Sequence, residues 1–160
     1  QEIIYRAGLL HDVGKIKVSD LILNKPGRLD DEEFKKMQIH TIEGEKIIEN
    51  AMKISSTSDY LKEAKNIAAY HHEKWDGTGY PYGLKGEDIP LSARIMAVSD
   101  VFDALISARV YKPAMKFEDA MRIIKEGSGK HFDPVIVNAF VDAEEEVKKI
   151  AEEHKKIFES

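Results

Sequence analysis

Residues 59–81 read DYLKEAKNIAAYHHEKWDGTGYP. Leu61, Ala64, Ile67, Ala68 and then His71 or His72 recur every three or four residues, the spacing that puts side chains on one face of an α-helix. The helix is predicted to end near Lys74, because Gly77, Gly79 and Pro81 follow at once and break helical geometry. Two adjacent histidines therefore sit where the helix stops. The glycines at 77, 79, 83 and 86 let the backbone after them fold tightly over whatever the rings hold.

The same helical period extends outward from this stretch in both directions. A first helix is predicted from about Ile3 to Val13, ending near Gly14, with Ile3, Ile4, Ala7, Leu9 and Leu10 apolar. Pro26 and Gly27 mark a turn and leave room for only a short helical piece before it. Asp30 with Glu33 matches a capping box, after which Phe34, Met37, His40, Gly44, Ile47, Ile48 and Ala51 share one face. Residues 90–110, PLSARIMAVSDVFDALISARV, predict a long, largely buried helix from around Pro90. Residues 116–129, KFEDAMRIIKEGSG, are amphipathic and stop at Gly127 to Gly129. Asp133 and Pro134 supply the N-cap and first turn of the last helix, whose end, within 141–160, is a charged face with a thin apolar stripe. No segment alternates apolar with polar residues, so the expected fold is all-α, a bundle of about six or seven helices.

A chain of 160 residues with 42% hydrophobic content is long enough for one compact domain, taken as 1–160. The 24 Lys and Arg against 29 Asp and Glu give a net charge of −5, which offers no broad basic surface for duplex nucleic acid or anionic membrane. There are no cysteines, so any metal site must use imidazole and carboxylate. That usage suits a reducing cytoplasm. No apolar run approaches the roughly 20 residues needed to span a bilayer.

The candidate metal ligands are His11, Asp12, His40, His71, His72 and Asp100, placed on four predicted helices whose apolar residues would face a shared core. Singly each has a plainer reading: His40 as a hydrogen-bonded core residue, Asp12 as a cap or a partner of Lys15. Asp100 is harder to explain away, because a carboxylate amid an apolar helix is costly unless it is paired or bound to metal. Several such groups need a common compensation, which a pair of divalent cations (Fe, Mn, Zn or Ni) supplies. Bound metal also acidifies water, making a nucleophile available near neutral pH without a dedicated protein base.

HDVGK at 11–15, HHEKWDGTGYP at 71–81 and SDVFDALISARVYK at 99–112, with KPGRL at 25–29 and FDP at 132–134, resemble the signature of the HD-GYP family, a branch of the HD metal-dependent phosphohydrolases. The resemblance runs from about Ala7 through Phe140. It implies an HD-domain-like bundle, a cytoplasmic bacterial signalling role, and hydrolysis of cyclic di-GMP to the linear dinucleotide, GMP or both. A centre of two or three iron or manganese ions is implied, with Zn, Ni or Mg as alternatives. The six candidate residues would be its ligands, Lys15, Arg109 and Lys112 would hold substrate phosphates, and Gly79, Tyr80 and Pro81 would form the loop that gives the family its name. Asp12 and Lys15 are the catalytic candidates, joined by Asp103, which is placed to accept a hydrogen bond from water or to anchor Lys15, with pairing to Arg109 as the alternative. Trp75 is expected to pack under the loop, and His131 and His154 are expected to lie outside the centre. Other readings are an HD hydrolase acting on another nucleotide, or an impaired module that binds a cyclic dinucleotide or contacts a diguanylate cyclase (GGDEF) domain.

The resemblance also implies a further metal-binding histidine on a helix upstream of the HD pair. The sequence begins ten residues before His11 and lacks an initiator methionine. It is therefore expected to be a piece of a longer protein, lacking its first helix or helices and preceded by a receiver or sensory domain. The uncovered apolar face is expected to favour a homodimer, and catalysis is expected to be reduced.

Overall fold

The computed structural model describes residues 2–54, 58–107 and 113–158, with side chains to 153. Its α-helices are α1 (Glu2–Gly8), α2 (Asp20–Leu23), α3 (Asp31–Ile54), α4 (Asp59–Tyr70), α5 (Leu91–Ile106), α6 (Phe117–Glu126), α7 (Pro134–Asp142) and α8 (Glu144–Phe158). Two short 3-10 segments cover Val13–Lys17 and Gly86–Asp88. Among the described residues there is no strand, only an isolated bridge between Ser128 and Phe132, so the fold is all-α. Among the described residues, no helix is long and apolar enough to cross a membrane.

Local signals account for most boundaries. The Asp30 side chain accepts from the Glu33 N–H at 2.8 Å while Glu33 accepts from the Asp30 N–H at 2.8 Å, completing the capping box that starts α3. Ser58 and Asp133 cap α4 and α7 in the same way, each side chain accepting a first-turn N–H. Asp133 also accepts a 2.6 Å hydrogen bond from Arg94, whose Nε donates to the Ile89 carbonyl, so the start of α7 is tied to the start of α5.

Three expectations are corrected. The first helix stops at Gly8, and residues 9–12 are a turn with i to i−3 hydrogen bonds that runs into the first 3-10 segment. Gly14 explains the change of course: a Cβ there would lie 1.9 Å from the His40 carbonyl oxygen and 2.4 Å from the Gly44 nitrogen. The chain must leave α1 to lay its backbone against α3. The second correction is the last helix, which is two helices meeting at Ala143. With the four-residue α2 this brings the number described to eight, above the six or seven expected. Third, on α3 the buried positions are His40, Thr41, Gly44 and Ile48, while Phe34 and Ala51 of the expected face are exposed.

Two apolar clusters hold the bundle. One gathers Ala7, Ile48, Ala64, Ile67 and Ala68 from α1, α3 and α4; the other gathers Ala97, Val98, Phe102, Ala120, Met121, Ile124, Phe132 and Val137 around α5, α6 and α7. Ile67 and Ile124 are wholly buried, each worth about 2 to 3 kcal/mol in transfer free energy. Met96 of α5 packs on the first cluster while Ala97 and Val98 belong to the second, so α5 joins the halves.

Candidate metal centre

The six candidate ligands converge, though on different supports from those expected. His40 is inside α3 and Asp100 inside α5, whereas α4 stops at Tyr70 and not near Lys74, so that His71 caps its C-terminus and His72 follows it; His11 and Asp12 lie in the turn after α1. Helix ends and turns free adjacent side chains from a fixed rotation, which lets both members of each pair face one point.

Asp12 is the hub. Its Oδ1 lies 3.6 Å from His40 Nε2 and 3.9 Å from His71 Nε2, and its Oδ2 lies 3.2 Å from His11 Nε2 and 2.5 Å from Lys15 Nζ. His11 Nε2 is also 3.8 Å from Asp100 Oδ1. His40, His71 and His72 each offer a nitrogen, all within 4.8 Å of one another.

The ring orientations decide what the nitrogens can do. Nδ1 of His11, His40 and His71 sits 2.7, 2.7 and 2.9 Å from the carbonyls of Gly8, Met37 and Ile67. A carbonyl only accepts, so in each ring Nδ1 carries the hydrogen and a neutral ring keeps its lone pair on Nε2. His40 Nε2, His71 Nε2 and Asp12 Oδ1 are buried with no hydrogen-bond partner among the described residues. Three inward-facing acceptors without a donor would each cost about 1 to 3 kcal/mol in a sealed interior. A divalent cation satisfies all of them, and backbone-anchored imidazole is the usual support of such a ligand.

Electrostatics keep His40, His71, His72 and Asp12 in the form that can hold a cation, and favour the proton on His11. Burial, then the charges of His11 and His40, push the His71 pKa down to about 4; burial and its two neighbouring histidines hold His72 well below its ordinary value. Burial lowers His40 as well. For Asp12, burial raises the pKa, but hydrogen bonds from His11 and Lys15 outweigh it and hold the carboxylate ionised. Burial pulls His11 down, yet the hydrogen bond and charge of Asp12 with the Gly8 carbonyl leave it raised.

The loop after His72 folds back over the site. A Cβ on Gly79 would lie 2.3 Å from the Lys74 nitrogen and 2.5 Å from Glu73 Cα, so only glycine fits. The Tyr80–Pro81 peptide is cis, and the Tyr80 ring stacks on His72 at 4.9 Å and 28°. Burial and the charges of Asp100 and Asp12 raise the Tyr80 pKa. Glu73 is not among the candidates that the sequence offers. It is 2% exposed; Oε1 accepts from the Tyr82 and Gly83 N–H groups at 2.7 and 3.1 Å, and Oε2 from Leu84 at 3.0 Å. The signal available was an acid placed immediately before a glycine-rich turn, whose free N–H groups need an acceptor. Trp75 is half-buried, with the Arg94 guanidinium 5.9 Å from its ring centroid.

The other candidates divide. Lys15 pairs with Asp12 and not with Asp103, which is exposed and accepts from Ser107 Oγ at 3.3 Å. Asp103 nonetheless borders, with His11, Asp12 and Asp100, an open groove of about 750 Å³ between α1 and α5. Arg109 and Lys112 lie outside the described residues, as does the His154 side chain. His131 is apart from the cluster, stacked on Phe132 at 4.2 Å.

The HD domain family model matches residues 1–136. A cyclic di-GMP phosphodiesterase of Vibrio cholerae serotype O1 is 55% identical over 94% of this chain and 30% of its own length. The 3'3'-cGAMP-specific phosphodiesterase 2 of the same organism is 44% identical over 88% of this chain and 26% of its own. The chain thus spans about a third or less of these curated relatives. A solved cyclic GMP-AMP specific phosphodiesterase from V. cholerae shares the fold, with a TM-score of 0.52 at 21% identity over 92% of this chain and 38% of that one. The family implies divalent metal binding, and the histidine cluster suits it. With the HD pair at the hub of that cluster and GYP folded over it, the chain belongs to the HD domain family, in its HD-GYP branch.

Proposed function

We propose that this chain carries the catalytic centre of a metal-dependent phosphodiesterase that hydrolyses cyclic di-GMP to the linear dinucleotide, GMP or both. The observation that supports it best is the set of buried acceptors without donors: Asp12 Oδ1, His40 Nε2 and His71 Nε2, converging with backbone-fixed tautomers. His11, His72 and Asp100 complete the ligand set, and iron or manganese suits ligands without sulfur. Bound ions supply acidified water and charge neutralisation at the phosphodiester.

The chain's own residues hold and orient the rest. Asp12, kept ionised by His11 and Lys15, lies between the two sides of the cluster, where its two oxygens would help to hold bound cations. The Lys15 ammonium has three donors and gives one to Asp12, which leaves two for a substrate phosphate. Arg109 and Lys112 take the second phosphate of the ring, and Gly79, Tyr80 and Pro81 wall the site. Asp103, on the same groove, orients water from its exposed edge.

A second reading is favoured by the 3'3'-cGAMP-specific relative at 44% identity: the same centre acting on a mixed cyclic dinucleotide. Parallel turnover of the two nucleotides by the full-length protein, supplied anaerobically with Fe²⁺ or Mn²⁺, decides between them by the larger kcat/KM. Asp12→Ala is expected to reduce bound metal to less than about a tenth, by removing the shared ligand and the partner of Lys15. Arg109→Ala is expected to leave metal content unchanged and raise KM about ten-fold, the loss of one charge-assisted contact. A metal-loaded protein that binds cyclic di-GMP and leaves it uncut would instead be a binding module.

A further inference from the structure

Four histidine rings meet at the centre, and three are held alike, by Nδ1 on a backbone carbonyl. His72 is held differently. Among the described residues no hydrogen bond fixes its ring, which instead lies 4.0 Å from His71 at 40° and 4.9 Å from Tyr80 at 28°. The flattest contact of this ligand is therefore the tyrosine of the glycine-rich loop. Phe34 backs that tyrosine edge-on at 5.9 Å.

A ring on a loop is only as well placed as the loop itself, and this loop is clamped from inside. The Glu73 carboxylate, next in sequence to His72 and buried, accepts three consecutive backbone N–H groups at Tyr82, Gly83 and Leu84. Gly79 lies against the backbone of Glu73 and Lys74, and the Tyr80 N–H donates to the His72 carbonyl at 3.2 Å. The segment from 79 to 84 thus closes back on residues 72–74 at several points. Three hydrogen bonds on one buried carboxylate exceed what closing a short turn requires, since the turn's N–H groups could otherwise face water.

We propose that Glu73 and Tyr80 are positioning residues for His72: the buried carboxylate fixes the loop, and the loop holds the tyrosine ring as the surface that orients the His72 imidazole toward the metal. Burial alone would anchor Glu73 without involving a metal ligand, so the test must read the ligand. This inference rests on the metal-centre part of the proposed function and not on the substrate. Binding of Mn²⁺ without nucleotide is therefore the measurement.

Calorimetric titration of full-length protein with Mn²⁺ is expected to show Tyr80→Leu weakened about ten-fold, the lower end of losses on removing an outer support of a ligand. Tyr80→Phe keeps the ring and is expected to stay within about two-fold of wild type. Glu73→Gln exchanges one accepting oxygen for a donor facing another donor, and is expected to weaken binding by about three-fold. Because both act through one ring, the Glu73→Gln/Tyr80→Leu double variant is expected to bind no more weakly than Tyr80→Leu alone. Wild-type affinity in Tyr80→Leu overturns the proposal, as do multiplying losses in the double variant or failure of the wild-type protein to bind Mn²⁺. Glu73→Gln leaves every apolar contact in place, so unchanged affinity in that variant is decisive if Tyr80→Leu does not fold. Uncut cyclic di-GMP with Mn²⁺ bound would defeat the proposed function and leave this inference standing.

Discussion

The two sides of the centre are built to different standards. On the α3 and α4 side, His40 and His71 are 1% and 2% exposed, each ring fixed by a carbonyl of its own helix. On the α1 and α5 side, the side chains of His11 and Asp100 are 22% and 25% exposed and border the open groove, where Tyr5 and Leu9 are largely exposed. Asp12 belongs to both. A ligand buried and locked in advance loses little freedom when an ion binds, whereas a ligand on an open edge leaves room for water or substrate. Under the proposed function, the closed side retains metal and the open side admits a phosphodiester.

The sharpest way to break this contrast is to open the closed side without touching a ligand. Gly14→Ala would force a methyl into the backbone of α3, where no flexible side chain can give way. The 3-10 segment must lift, taking Asp12 with it. The expected cost is about 3 kcal/mol, the upper range for overpacking, or roughly 10 °C in thermal midpoint. A melt within about 2 °C of wild type would mean that the turn moves freely and the closed side is not rigid.

A comparison across the hub sharpens the contrast further. His40→Ala removes a candidate ligand from a buried position and leaves Asp12 Oδ1 facing the space it vacates, while water can replace the imidazole lost in His11→Ala. Mn²⁺ affinity is expected to fall about ten-fold more in the first than in the second, a difference of about 1.4 kcal/mol. Equal losses, measured by titration of both variants, would remove the distinction between the two sides.

How far the sequence alone foretold this is uneven, and for physical reasons. The capping residues Asp30 and Asp133 are local devices, so their helices begin where composition says. All six candidate positions are legible because charged and imidazole groups amid apolar spacing are costly. Their supports are not. Nothing local marks the early end of α1: the deciding contact is between Gly14 and a helix 30 residues away, a tertiary effect outside any window of helical period. Glu73 is not legible in the same way, because an acid beside two histidines reads as surface and its acceptor role appears only once the loop is folded onto it.

The loop itself gives the smallest expected effect. Tyr82, at its outer edge, is 52% exposed and donates from its hydroxyl to Glu45 of α3 at 2.7 Å, a bond that raises the phenol pKa to about 12. This tie and the Glu73 clamp both connect the loop to the body, but only one is out of water. Removing the hydroxyl in Tyr82→Phe lets solvent take its place on Glu45, so the expected loss is about 0.5 kcal/mol by denaturant titration. Mn²⁺ affinity should be unchanged, since the ring over His72 is held from the buried side. A fall in affinity comparable to that of Glu73→Gln would move the anchor of the loop from its interior carboxylate to its exposed rim. The closed side would then depend on a contact that water can compete for.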